Sequence, residues 1–336
     1  MTGKITRAAI YRARQAIAPW VRRTPLVRSE ALSARMGCNV HLKLETLQET
    51  GAFKLRGAVN RLLQLSEAER AQGVVAVSTG NHARAVAHAA RALGVPATVC
   101  MSSLVPDNKV AAVRATGAEV RIAGRTQDEA EEVGKQLAAE QGLVFVSPFD
   151  DPWVIAGQGT IGLELLEDLP ALDAVLVPLS GGGLIGGIAL ALKSAARAVR
   201  VIGISMERGP AMVRSLAAGR PVPVEEEPSL ADSLGGGIGL LNRYTFALAR
   251  ELLDETILVS EDEIAAAMAH CYWQEQQIVE AAAAVGVAAL LAGKLRTPGA
   301  NLAVVLSGRN VDMRRFSEIV AGAAPEAGDR PCPSPS

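Results

Sequence analysis

A chain of 336 residues, 49% of them apolar, is long enough for two ordinary domains or one large α/β unit. Its 34 Lys and Arg nearly cancel 35 Asp and Glu, leaving a net charge of −1. No overall field therefore favours nucleic acid or an anionic membrane, and the expected partner is a small molecule.

Along the chain, the opening MTGKITRAAIYRARQAI carries charges every few positions and has neither the apolar core nor the cleavage site of a secretory signal. No apolar stretch elsewhere reaches membrane-spanning length. Cys38, Cys100, Cys271 and Cys332 lie far apart with no C-x-x-C spacing, which fits reduced thiols in a cytoplasmic protein better than a zinc or disulfide framework. The stretch ETGAFKLRGA (49–58) then sets Lys54 beside Phe53 among small and basic residues. Taken alone, such a lysine is a snorkelling surface residue.

From residue 73 onward, short β-branched runs alternate with amphipathic stretches. The runs are GVVAVS (73–78), ATVCM (97–101), EVRIA (119–123), LVFVS (143–147), AVLVP (174–178), RVIGIS (200–205), TILVS (256–260) and LAVVLS (302–307). Continuous apolar strands separated by helices predict an α/β fold with parallel sheets covered on both faces. NHARAVAHAARALG repeats its Ala and Leu at helical spacing and ends at Gly94, a C-cap. Two places break the rhythm. The loop 207–239 is expected to be a site-forming excursion, and the Gly/Pro/Ala/Ser-rich end, 321–336, a disordered tail.

Open α/β sheets bind ligands at strand ends, and three ends stand out. STGNHARA (78–85) turns through Gly80 into a helix, so the amides of Thr79 to His82 form an anion cradle; the plainer alternative is that Ser78 or Thr79 only caps the helix. VPLSGGGLIGG (177–187) matches G-x-G-x-x-G at Gly181, Gly183 and Gly186, a weak motif that also serves tight packing turns. Its nicotinamide-binding reading needs an acidic residue at the end of the next strand, where Ser205 stands with Glu207 beyond. VVLSGRNVD (304–312) puts Ser307 at a third strand end before a glycine. With an anion cradle, a phosphate loop and a strand-end hydroxyl, Lys54 makes sense as a Schiff-base residue for a phosphorylated aldehyde cofactor.

TGAFKLRGA, STGNHA, PFDDPWVIAGQGTIGLELL, SGGGLIGG, LADSLGGGIG and SGRNVD, in this order, resemble the pyridoxal-phosphate enzymes of fold type II. Within them the chain is similar to the serine/threonine dehydratase and serine racemase group, over about Ile5 to Val320. HLKLETLQETGAFKLRGA, VSTGNHARAVAHAARALGVPATVCMS and VLSGRNVDMRRF look most like the dehydratases of hydroxyectoine utilisation. The resemblance implies two doubly wound three-layer α/β/α domains with the cofactor in the cleft. The large one would comprise 1–51 and 148–320, and the small one 52–147. It also implies a homodimer or higher homo-oligomer.

By the same resemblance Lys54 forms the Schiff base, Phe53 packs against the cofactor ring, and Asn81 hydrogen-bonds the ring's phenolic oxygen. Gly181, Gly182, Gly183 and Leu184 hold the phosphate, and Ser307 faces the pyridine nitrogen. Ser78, Thr79, Gly80, Asn81 and His82 grip the substrate carboxylate, and Thr79 stands where a racemase carries its second acid/base. The implied reaction is loss of water from a β-hydroxy-α-amino acid such as 3-hydroxy-2,4-diaminobutyrate, with threonine/serine dehydratase or serine racemase as alternatives. Ser180 and Arg309 replace glycines common in the family. Ser205 replaces the acidic residue with which some relatives bind a divalent cation, so no metal is expected.

Overall fold

The computed structural model describes residues 5–103, 105, 107–195 and 198–323. It contains ten strands: β1 Leu26–Ser29, β2 Asn39–Leu44, β3 Val74–Val77, β4 Ala97–Met101, β5 Glu119–Ile122, β6 Val144–Phe145, β7 Ala174–Pro178, β8 Arg200–Met206, β9 Glu255–Val259 and β10 Asn301–Leu306. The eight β-branched runs correspond to β3 through β10. Of the expected tail 321–336, positions 324–336 lie outside the described residues, and the last described helix, Met313–Gly322, extends past position 321.

The strands form two sheets, one of order β1-β2-β10-β7-β8-β9 and one of order β5-β4-β3-β6. All pairs are parallel except β1 with β2, a departure from the uniformly parallel expectation. β1 and β2 escape the periodicity argument for different reasons. β1 exposes most of its short length at the sheet edge. β2 carries His41 and Lys43 among its apolar residues, yet Lys43 is completely buried.

Strand order reverses once in each sheet. The chain leaves β7 toward β8 and β9 and returns to its other side with β10; it leaves β3 toward β4 and β5 and returns with β6. Ligand crevices form at the carboxyl ends of strands at such reversals. The candidate stretches after β3, β7 and β10 therefore share the ends where a ligand is expected. The 207–239 segment is not all loop, since it holds a helix, Ala211–Ala218, and a single turn, Asp232–Leu234. Among the described residues no helix is long and apolar enough to cross a membrane.

The helix Pro152–Asp168 joins the parts. Asp151 caps it by accepting from the Trp153 and Val154 amides at 2.7 and 3.0 Å, and Pro152 begins it. Glycines let two other helices press onto its backbone. A Cβ on Gly157 would lie 2.5 Å from Arg56 O and 2.7 Å from Gly57 Cα, in the helix Lys54–Leu63; one on Gly162 would lie 2.9 Å from Ile188 O, in the helix Gly183–Ala195. Gly157→Ala should therefore wedge the Lys54 helix away and destabilise the fold by about 1–3 kcal/mol, read as a lower denaturant midpoint at unchanged slope.

Candidate active site

Lys54 begins its helix, and Arg56 follows two residues later. At 3.6 residues per turn this spacing points their side chains to nearly opposite sides. Lys54 remains partly exposed and donates to Pro148 O at 2.6 Å, with its nitrogen 5.2 Å from the Phe53 ring centroid. Burial of the ammonium lowers its pKa to about 8, against the opposing pull of Glu280.

Arg56 points inward and is 1% exposed. It donates to Glu45 at 2.8 and 2.9 Å and to Glu164 at 2.5 and 3.0 Å. Lys43 completes the cluster, 2.6 Å from Glu164. Burial alone would push the Glu45 carboxyl up, but the charge and hydrogen bonds of Arg56 outweigh it and hold the pKa low. Lys54 is thereby tied through its own helix to β2 and to Pro152–Asp168.

The next residues along the cleft wall build the glycine loop. Phe149 follows Pro148, and its ring and backbone occupy the space that a Cβ on Gly181 or Gly183 would need. Gly182 has φ 87°, a left-handed conformation that favours glycine. Gly183 opens the following helix, so the loop presents backbone amides at a helix N-terminus, the arrangement that holds a phosphate. Leu184 lies buried just behind. The neighbouring wall is pinned by Asp150, whose carboxylate accepts from the amides of Arg243, Tyr244 and Thr245 at 2.7–3.0 Å.

After β3, Ser78 Oγ accepts from the Gly80 amide at 3.2 Å. The helix Asn81–Leu93 begins with no side-chain cap, so neither Ser78 nor Thr79 fills the simple capping role, and the first-turn amides are not spent on a side chain. Ser78, Thr79 and Gly80 are half-buried. His82 is buried, with Nε2 2.8 Å from Val146 O. A carbonyl only accepts, so this contact requires the Nε2–H tautomer. Burial, reinforced by Lys54 and opposed by that hydrogen bond, drives the His82 pKa to about 3 and keeps the ring neutral.

Ser307 is 3% exposed at the end of β10, and its carbonyl accepts from the Phe53 amide at 3.0 Å. Asn81 is held from both sides. Its Nδ2 donates to Glu280 at 2.7 Å, and its Oδ1 accepts from Asn310 at 2.6 Å. The structure thus assembles Phe53, Lys54, Asn81, His82, Ser307 and, through Pro148 and Phe149, the glycine loop. Among the described residues no three His, Cys, Asp or Glu side chains stand where they could hold a metal, and Ser205 is buried at 2%. Sequence reasoning missed Glu280, Asn310 and the Arg56 cluster. Arg56 had a local signal, a charge among the apolar Leu55, Ala58, Val59 and Leu62 of its helix; Glu280 had none, because it reads as the polar residue before an apolar helix.

An amine with a lowered pKa, a helix-terminal phosphate loop and a left-handed glycine within one cleft fit a phosphorylated aldehyde. The family model for pyridoxal-phosphate dependent enzymes matches residues 17–308. The chain belongs to this family. A Sinorhizobium fredii protein assigned as a threonine dehydratase is 54% identical over 94% of this chain and 95% of its own. The L-threonine ammonia-lyase of Thermotoga maritima is 45% identical over 94% of this chain and 78% of its own. The structure of maize serine racemase superposes with a TM-score of 0.88 at 34% identity, over 96% of this chain and 98% of that one. The fold is fold type II, and the protein is a pyridoxal-phosphate-dependent lyase of the threonine dehydratase type. The lowered Lys54 pKa is directly measurable: reductive methylation of the cofactor-free protein should label Lys54 with a midpoint near pH 8, while surface lysines react with midpoints near about 10.4.

Proposed function

We propose that this lyase removes water from a β-hydroxy-α-amino acid, with the cofactor between a small unit of 52–147 and a large unit of 1–51 and 148–320. The observation that carries the reading is the enclosed Lys54 amine, with a pKa of about 8, beside an uncapped helix N-terminus and a glycine loop. When bound, pyridoxal phosphate supplies an electron sink that acidifies the substrate Cα proton.

The amides of Gly181, Gly182, Gly183 and Leu184 hold the phosphate, with the Ser180 hydroxyl as a further donor. Phe53 would pack against the ring, and Asn81 would donate to the phenolic oxygen. Ser78, Thr79, Gly80, Asn81 and His82 grip the substrate carboxylate. Neutrality of His82 matters, since an imidazolium there would compete with Lys54 for negative charge. Lys54 would anchor the cofactor, and its amine, when free beside the substrate Cα, would accept the Cα proton as general base. The hydroxyl would take up one proton for the one that Lys54 removes from Cα, so that H+ and OH− leave together as water, and the unsaturated amine released would hydrolyse to a 2-oxo acid and ammonia. Ser307 would face the pyridine nitrogen with a neutral hydroxyl; lacking a carboxylate's charge, it would favour prompt departure of the leaving group over transamination. Thr79, β-branched and restricted, holds the carboxylate turn rather than returning a proton to Cα.

The substrate proposed is a hydroxyectoine-derived amino acid such as 3-hydroxy-2,4-diaminobutyrate, in hydroxyectoine catabolism. Supporting it is the likeness of the segments around Lys54, Asn81 and Ser307 to that group's wording. Threonine or serine is the second reading, favoured by the threonine-directed names of the relatives. A cytoplasmic location is supported by free thiols at Cys38, Cys100 and Cys271. A homo-oligomer is supported by Trp273 and Met313, exposed at 48% and 49% on packed neighbouring helices.

Assay of the purified protein against β-hydroxy amino acids should show 2-oxo acid release fastest from the diamino substrate; preference for threonine would overturn that assignment. Lys54→Ala should lose both turnover and the borohydride-reducible link to the cofactor. Loss of the base alone costs about 10²–10⁴-fold, and wild-type turnover in this variant would overturn the mechanism.

A further inference from the structure

Glu280 is 7% exposed. It stands at the N-cap of the helix Ala281–Leu291, yet its side chain makes no capping hydrogen bond. It accepts instead from Asn81 Nδ2, 199 residues away in the chain, at 2.7 Å. Its backbone amide donates to Gly308 O at 3.1 Å, and its Oε1 fills the space that a Cβ on Gly308 would need. A carboxylate buried among these groups is costly to desolvate, and its side chain reaches toward the Lys54 cleft rather than toward its own helix.

The hydrogen bonds leave no freedom in the Asn81 amide. Arg84 only donates, so its 3.2 Å contact makes the bonded atom of Asn310 the oxygen. The Asn310 NH₂ then donates to Thr50 O at 2.8 Å and to Asn81 Oδ1 at 2.6 Å. A carboxylate only accepts, so the Asn81 NH₂ faces Glu280, with one hydrogen left over.

We propose that Glu280 is a positioning residue, holding the Asn81 amide so that its remaining N–H serves the cofactor's ring oxygen. This inference rests on Asn81 being the partner of that oxygen. Glu280 is the titratable group whose charge acts on Lys54; His82 is itself held neutral, partly by the Lys54 charge, and Arg84 meets the array at Asn310.

Glu280→Gln keeps the shape, removes the charge and offers Asn81 either end of an amide. In the holoenzyme kcat should fall about tenfold with KM within about threefold, the signature of a lost transition-state interaction. The pH midpoint of the cofactor's visible absorbance should move down by about one unit, because the protonated nitrogen loses the carboxylate that stabilises it. Fluorescence titration of the cofactor-free protein with pyridoxal phosphate should show weaker binding, at an unchanged melting midpoint. Wild-type kcat, absorbance midpoint and cofactor affinity would overturn the proposal, as would a lowered melting midpoint with wild-type kcat per holoenzyme.

If Glu280→Gln does not fold, Asn310→Ala releases the other end of the Asn81 amide and leaves the charge in place. It should lower kcat without moving the absorbance midpoint, and a wild-type kcat there overturns the positioning role. Asn81→Ala separates the two layers of the argument. A crippled Asn81→Ala beside a wild-type Glu280→Gln would remove only the Glu280 inference, whereas a wild-type Asn81→Ala would remove the ring-oxygen assignment itself.

Discussion

The Arg56 guanidinium, almost without water, donates to both oxygens of Glu45 and both oxygens of Glu164. Replacing such a buried array by well-packed apolar residues is often neutral or stabilising, so its consequence lies in geometry more than in net stability. A planar fork between two carboxylates has few alternative arrangements. It sets how the helix Lys54–Leu63 meets β2 and Pro152–Asp168, and hence where Lys54 enters the cleft. Removing the guanidinium alone would leave Glu45 with the Thr24 hydroxyl and Glu164 with Lys43, two buried carboxylates sharing one buried cation.

Close backbone packing completes what the charges begin. Pro152–Asp168 receives the lysine helix at Gly157 and the phosphate-loop helix at Gly162. The amine and the phosphate loop are therefore mounted on one element, although Lys54 and Gly183 are remote in sequence. Preorganisation of this kind is what a cofactor enzyme supplies, since the cofactor itself carries the difficult chemistry.

Electrostatics within the cleft follow from enclosure. Removal from water makes Lys54 easy to deprotonate and His82 hard to protonate, and the two cations disfavour each other. Glu280 works against the first of these effects and is itself engaged by Asn81. One amine is left close to the pKa at which it can both hold and give up a proton near neutral pH.

What the sequence determined by itself was whatever is written in local pattern. β3 to β10 announce themselves as β-branched runs, and the candidate residues Lys54, Asn81, Gly181–Gly183 and Ser307 lie at turns or helix starts, where glycines and small polar residues mark the chain. Their joint order, more than any one of them, carried the family. β1 and β2 were not legible, because a strand bearing Lys43 reads as half-solvated until Glu164 is brought against it. The helix inside 207–239 was hidden by its Pro- and Gly-rich surroundings. Tertiary structure alone decided that Arg56 turns inward to two carboxylates, that Glu280 forgoes its own helix to hold Asn81, and that the Lys54 pKa falls to about 8. Burial and long-range pairing are properties of the folded neighbourhood, and a residue's type and spacing do not contain them.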